Sequence, residues 1–246
     1  MINNFFPGKT FRMWVIMSLL AVMALGAAGC QPGFQGYKST PEAIETNERG
    51  IKLYNEGAYD KAILNFDKAI SFDPSNPAVY FNKGQSLDAM RRFDKAIESL
   101  DRAISINGNA ANYWVNKGFV YAGQEKFTEA IPCYTKAASL DSGNSEIWDR
   151  LAYAQMKTKL YDDVLRSTDK SISLNSAGAF AWGYKAKALH ELRRYDEAIV
   201  AFDRALALDV NNPALWYSKG LTLETLKRDA EAKKCYDKAR ALGYQF

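Results

Sequence analysis

Histidine is nearly absent from this chain. His190 is the one imidazole in 246 residues, and no Ser–His–Asp or metal-ligand spacing surrounds it. Cysteine is scarce too: Cys30, Cys133 and Cys235 are too few for a disulfide framework. One histidine and two scattered thiols beyond Cys30 cannot build a usual zinc site. The phosphate-cradling spacings GxxxxGKS, GxxxxGKT and GxGxxG are missing. These gaps leave no catalytic, metal or cofactor residue to nominate, and the expectation is a protein that is not an enzyme. Excess charge is missing as well. Lys and Arg number 32 against 28 Asp and Glu, for +4; only Lys9 and Arg12, and no acid, precede Cys30, which leaves 30 against 28, or +2, from there on. A nucleic-acid partner needs a clustered basic face, so none is expected. No Asn-x-Ser/Thr sequon occurs.

What the chain does have is a period. Six stretches start at Ala43, Pro77, Ala111, Ser145, Ala179 and Pro213, each 34 residues after the last. Offset 8 holds Gly50, Gly84, Gly118, Ala152, Ala186 and Gly220; offset 20 holds Ala62, Ala96, Ala130, Val164, Ala198 and Ala232. Large residues recur at offset 4 (Tyr80, Trp114, Trp148, Trp182, Trp216) and offset 24 (Phe66, Leu100, Tyr134, Phe202, Tyr236). Two helical patterns per unit, small residues where backbones meet and large ones beside them, are what a packed helix pair requires. A search for such periods decides the fold before anything else does.

This spacing resembles the tetratricopeptide repeat family over residues 43–246. The resemblance implies an all-α, right-handed α-solenoid of six helix–turn–helix units: 43–76, 77–110, 111–144, 145–178, 179–212 and 213–246. Copy four departs most, with Ala152, Val164, Thr168 and Ser171, and looser packing is expected there. The usual Pro at offset 32 appears only as Pro74. Helix starts are expected at Thr40-Pro41-Glu42, Asn76-Pro77 and Asn212-Pro213, where an N-cap side chain precedes a proline in the first turn. Thr128 is expected to cap the second helix of copy three, which would bring Pro132 into the first four positions, where no N–H has an intrahelical partner. Cys133 and Cys235 share offset 23 three repeats apart, too far for a bridge, and read as small packers or exposed thiols. Acids and bases alternating along the second helices, as in Asp94-Lys95 and Asp101-Arg102, read as a solvated face.

Residues 1–30 read as a targeting segment: Lys9 and Arg12, sixteen uncharged residues from Met13 to Ala28, then Ala27-Ala28-Gly29-Cys30. That ending resembles a lipoprotein signal, with Cys30 as the lipidated residue, although Ala27 stands where such signals usually have Leu. An uncleaved anchor and ordinary secretion stay open. All three place the repeats outside the cytoplasm, at a membrane face in the first two. Residues 31–42, with Pro32, Gly33 and Gly36, read as a flexible tether.

In the resembled family the first helices line a concave groove through offsets 2, 5, 6, 9, 12 and 13. Carried onto this chain, that gives Phe81, Asn82, Gln85, Asn112, Asn116, Phe119, Arg150, Tyr153, Phe180, Tyr184, Lys187 and Tyr217 as partner-binding residues. Rings would anchor a peptide or protein segment and amides would bond its backbone; the competing reading is that part of this stripe packs on neighbouring helices. No copy has Lys at offset 5 or Asn at offset 9, so the family's clamp for a C-terminal carboxylate is not expected. His190, at offset 12, reads as a groove-side polar residue. Leu242, Tyr244 and Phe246 close the chain either as a tail packed back on itself or as a surface for self-association. Taken together, the expected function is a membrane-anchored, extracytoplasmic protein-binding scaffold. The alternative is a docking lipoprotein for a multi-subunit envelope machine of pilus or secretin type.

Overall fold

The computed structural model describes residues 39–246; the targeting segment, Cys30 and most of the tether lie outside the described residues. Twelve helices and no strand are found among the described residues. They form six antiparallel pairs: α1 (Pro41–Asn55) and α2 (Tyr59–Phe72), α3 (Pro77–Ala89) and α4 (Phe93–Ile106), α5 (Ala111–Gly123) and α6 (Phe127–Leu140), α7 (Ser145–Lys157) and α8 (Tyr161–Leu174), α9 (Ala179–Glu191) and α10 (Tyr195–Leu208), α11 (Pro213–Thr225) and α12 (Asp229–Ala241). Every second helix starts at offset 17, and every first helix after α1 starts at offset 1. The chain is an all-α helical repeat solenoid, in step with its 34-residue count.

The starts follow from local chemistry. Thr40 accepts the Ala43 N–H, Asn76 the Ala78 N–H, and Asn212 those of Ala214 and Leu215, as the sequence leads one to expect. Asn144 caps α7 in the same way. The second helices have no side-chain cap; acids in the first turn, such as Asp60, Asp94 and Asp196, face the positive helix end instead. The expectation for Thr128 is overturned. Helix α6 begins at Phe127, so Thr128 lies inside it and caps nothing, and Pro132 falls at the sixth position, inside the helix. Its ring therefore removes a true intrahelical bond, the one to the Thr128 carbonyl, and the helix continues because the surrounding pack over-determines it.

All six first helices end by one device. The N–H at offset 16 reaches back to the carbonyl at offset 11, from Ala58 to Leu53 at 2.9 Å through Arg228 to Leu223 at 2.9 Å. This six-to-one bond needs a left-handed residue at offset 15. Gly57 supplies it once, at φ +77°; Arg91, Glu125, Lys159, Arg193 and Lys227 supply it at φ between 58° and 61°.

Inside each unit the small residue at offset 8 faces the large one at offset 24. A Cβ on Gly50 would lie 2.5 Å from the Phe66 ring, on Gly118 2.8 Å from Tyr134, and on Gly220 2.6 Å from Tyr236. Copy four is different, and it is filled rather than loose. Thr168 is buried and bonds the Val164 carbonyl, Ser167 donates to Gln155 at 2.8 Å, and Ser171 donates to Asp149 at 2.6 Å.

Between units, Lys at offset 7 pairs with Asp at offset 25 of the unit before: Lys83–Asp67, Lys117–Asp101, Lys185–Asp169 and Lys219–Asp203, at 2.5–2.6 Å. The alternating charges of the second helices are thus partly inter-repeat ties, not only a wet face. At the junction of copies three and four the two positions hold Leu151 and Thr135, and Leu151 is buried against Tyr134 and Ala130. The aromatic at offset 4 fastens the preceding loop: the indole N–H of Trp114, Trp148, Trp182 and Trp216 donates to the carbonyl six residues back, and Tyr80 does the same through its hydroxyl. At the other end the chain turns at Gly243 (φ +88°), and Tyr244 comes back onto Tyr217, 4.9 Å between ring centres.

Candidate binding groove

Successive first helices touch one another at α1–α3, α3–α5, α7–α9 and α9–α11, whereas successive second helices make no comparable contact. The first helices therefore sit on the inside of the curve, and their inward side chains form its inner wall. The residues nominated from the sequence fall on five of these helices, α3, α5, α7, α9 and α11, but they divide into two kinds of surface.

Over copies one to three the wall is amide. Asn82 donates to the Asn47 side chain at 3.1 Å, Gln85 reaches Asn116 at 3.5 Å, and Asn116 donates to the Asn112 carbonyl at 2.9 Å. The first two of these bonds cross neighbouring helices and the third stays within α5, so part of the amides' capacity is already spent on the array. Phe81 packs on Tyr113 at 5.0 Å and onto the Leu87–Leu100 cluster, which makes it partly a structural ring.

From copy three to copy five the wall is aromatic and cationic. The Arg150 guanidinium lies 5.8 Å from the Phe119 ring centre and pairs with Glu146. Tyr153 stands edge-on to Phe127 at 5.6 Å and tilts against Tyr184 at 6.0 Å. Lys157 sits over both Tyr153 and Phe127, at 5.6 and 5.8 Å. Tyr184 is buried at 5% exposure, so it is a floor rather than a reachable wall. Lys187 is partly buried on α9 beside it, and Phe180 on α9 and Tyr217 on α11 are partly exposed.

Electrostatics single out the same place. The Lys187 ammonium is lowered to about 7, by burial first and then by repulsion from Lys157, with Glu191 opposing both. Burial raises the Asp149 carboxyl to about 6, against the Ser171 hydrogen bond and Arg150, which hold it down. His190, read as a groove-side polar residue, is half-buried: its Nδ1 meets Thr222 Oγ1 at 3.0 Å, its ring packs on Tyr195, and burial lowers its pKa. Cys133 and Cys235 are buried free thiols, both raised by burial, Cys133 to about 11. They are packers, not exposed nucleophiles. Among the described residues no group of three His, Cys, Asp or Glu could hold a metal ion.

Lys157 and Phe127 were missed among the candidate residues. The signal was present: offset 13 faces inward by the family pattern, and offset 17 carries an aromatic in five of six copies.

Six helix pairs stacked in register, their first helices lining one inner wall, define a helical-repeat protein. The model of the family described as TPR repeat matches residues 50–90, and models described as tetratricopeptide repeat match 77–109, 111–144, 179–212 and 213–239. The chain belongs to the tetratricopeptide repeat family. Among solved structures it is similar to YrrB, described as a TPR protein with an unusual peptide-binding site: 22% identity, 72% of this chain and 92% of that one covered, TM-score 0.65. It is similar to MamA (21%, 65% and 93%, TM-score 0.62) and to Pseudomonas aeruginosa PilF (17%, 82% and 92%, TM-score 0.66). At these identities the likeness is one of fold. No curated protein matches the chain.

Proposed function

We propose that this protein is a membrane-anchored, extracytoplasmic scaffold that holds a peptide or protein segment in the inner groove of its array. The observation that carries the binding half is a pair of cation–ring contacts, Arg150 over Phe119 and Lys157 over Tyr153, on partly exposed or exposed side chains of the inner wall. Partly exposed aromatic and Arg side chains in a concave site are the groups that carry binding energy in interfaces. The membrane half is supported by the sequence of residues 13–30, ending at Cys30.

The test is the pair Phe119→Ala and Tyr153→Ala in the full chain, with the partner captured by crosslinking and identified. Helicity persists and capture falls at least tenfold, roughly the ~1–2 kcal/mol of an interface anchor. Unchanged capture sinks the groove assignment. Intact mass of the membrane-extracted protein decides between lipidated Cys30, a retained leader and simple cleavage. Recovery of a multi-subunit pore, rather than one client, would move the reading to an envelope docking factor.

A further inference from the structure

The chain's one imidazole stands on the inner wall, and its hydrogen bonds fix which nitrogen carries the proton. His190 lies at offset 12 of α9, and its Nδ1 meets Thr222 Oγ1 of α11 at 3.0 Å. Thr222 is sealed from water, and its hydroxyl oxygen lies 2.9 Å from the Ser218 carbonyl oxygen. Two oxygens that close repel unless a proton lies between them, and the hydroxyl has one proton to give. That proton goes to Ser218, so Thr222 Oγ1 can only accept from His190. Nδ1 is therefore the N–H, and in the neutral ring Nε2 is a bare lone pair. Nε2 meets no group of the described residues, and it is not closed off from water. With α11 on one side of the half-buried ring and Tyr195 of α10 behind it, 5.4 Å between ring centres, the open side is the groove.

We infer that His190 determines specificity in this groove: its Nε2 accepts a hydrogen bond from a neutral N–H or O–H donor of the bound segment, a role that rests on the binding function proposed above. The bond to Thr222 uses Nδ1–H in both protonation states. Protonation therefore leaves the junction of copies five and six intact and changes only the edge shown to the partner. Neutral imidazole accepts there; imidazolium donates, and two donors then point at each other.

The surroundings keep the accepting form in place at neutral pH. The titratable groups that face the ring are Glu191 on its own helix, itself bonded by Tyr161 of α8, and Tyr195 on α10; α11 offers the uncharged Thr222. Burial outweighs the pull of Glu191 and lowers the imidazole below its ordinary 6.5.

The test begins without a ligand. His190 is the only histidine, so the full chain gives one pair of imidazole nitrogen-15 signals. At pH 8 Nδ1 resonates as a protonated nitrogen and Nε2 as a bare one, the reverse of the tautomer that free histidine favours. A bare Nδ1 overturns the inference at once. Random dodecapeptides are then selected on the full chain at pH 8 and released at pH 5. They bind the unmodified chain about tenfold more weakly at pH 5. Asp149 and Lys187 titrate in the same range, so the measure is the ratio between the two pH values in each chain. His190→Gln keeps an acceptor that does not titrate, and it reduces that ratio severalfold. His190→Phe keeps a ring against Tyr195 but no acceptor, and it binds about tenfold more weakly at pH 8. A pool that stays bound at pH 5, the same ratio in the unmodified and His190→Gln chains, or undiminished binding by His190→Phe overturns the inference and leaves groove binding intact. No binders at all, or binders indifferent to Phe119→Ala and Tyr153→Ala, overturns the groove reading itself, and this inference with it.

Discussion

Inside repeat four, Ser171 Oγ donates to the Asp149 carboxylate at 2.6 Å. Elsewhere offset 27 is Ala, and offset 5 is Asn, Phe, Val, Gly or Tyr. The two substitutions go together, as do Gln155 at offset 11 and Ser167 at offset 23, bonded at 2.8 Å. Repeat four has exchanged apolar packing for satisfied polar pairs, which keeps its interior dry of orphaned groups.

That exchange makes stability depend on pH. Asp149 titrates near 6 in the fold against about 4 in the unfolded chain, so folding favours its protonated form. The favourable contribution is fully present below about pH 4 and is lost as pH rises through 6. At pH 7 Asp149→Asn therefore stabilises by about 1–3 kcal/mol, and the difference between the two proteins shrinks toward zero at pH 4. Urea denaturation at several pH values reads this. A difference that stays flat with pH would refute it. Ser171→Ala acts in the opposite direction at pH 7, by about 1–3 kcal/mol, because it leaves a buried carboxylate oxygen without its donor.

The glycines at offset 8 form a graded series. Ala in place of Gly raises helix propensity by about 1 kcal/mol, and overpacking a core costs about 1–3 kcal/mol. The outcome depends on what the new methyl meets. At Gly220 it meets the Tyr236 ring at 2.6 Å, whereas at Gly84 it meets Leu100 Cγ at 3.0 Å and the Ala96 carbonyl at 3.3 Å, a much milder crowding. Gly220→Ala therefore lowers the thermal midpoint, and Gly84→Ala leaves it unchanged or raises it. Equal effects at the two sites would refute the packing argument.

How much of this could be read from residues alone is uneven, and the reasons are physical. The period, the helix pairs and the contact between offsets 8 and 24 were legible because backbone approach tolerates few side-chain sizes. The ladder from Lys83–Asp67 to Lys219–Asp203 was written at fixed offsets too, yet alternating charge on a helix has the same appearance whether it is solvated or paired across a junction. The amides of Asn82 and Asn116 were seen, but whether they would meet a ligand or one another depends on the spacing of α3 and α5, which no one helix encodes. Pro132 was misplaced by a single wrong cap, since Thr128 is a good N-cap type two residues past the true cap position at Lys126.

Lys159 carries the left-handed turn between α7 and α8 at φ 61°. A side chain there costs roughly 1–2 kcal/mol over glycine, and glycine loses about 0.5–1 kcal/mol more chain entropy on folding. Lys159→Gly therefore stabilises by about 0.5–1 kcal/mol in chemical denaturation. Gly57→Lys, at φ +77° in repeat one, destabilises by a similar amount. Opposite signs at one structural position are the outcome expected, and equal signs would contradict the turn's assignment.

The missing rung at the third junction tests what holds the repeats together. Leu151→Lys with Thr135→Asp would complete the ladder on paper. The pairs it imitates have an exposed Asp, 49–58% accessible, and such pairs contribute about 0–1 kcal/mol. Leu151 is 4% exposed, against Tyr134, Ala130 and Ala154, and removing a buried Leu side chain costs about 2–5 kcal/mol. The lysine stem recovers part of that packing. The double variant is therefore less stable than the natural chain by about 1–3 kcal/mol, and Lys219→Met at an existing rung changes stability by less than about 1 kcal/mol. In a stacked array each unit depends on its neighbours, so the loss shows first as early melting at the junction of repeats three and four. Hydrogen exchange of the α6 and α7 amides locates it. If completing the ladder instead protects those amides, ion pairs rather than apolar contact join the repeats, and the packing account given for Leu151 is wrong.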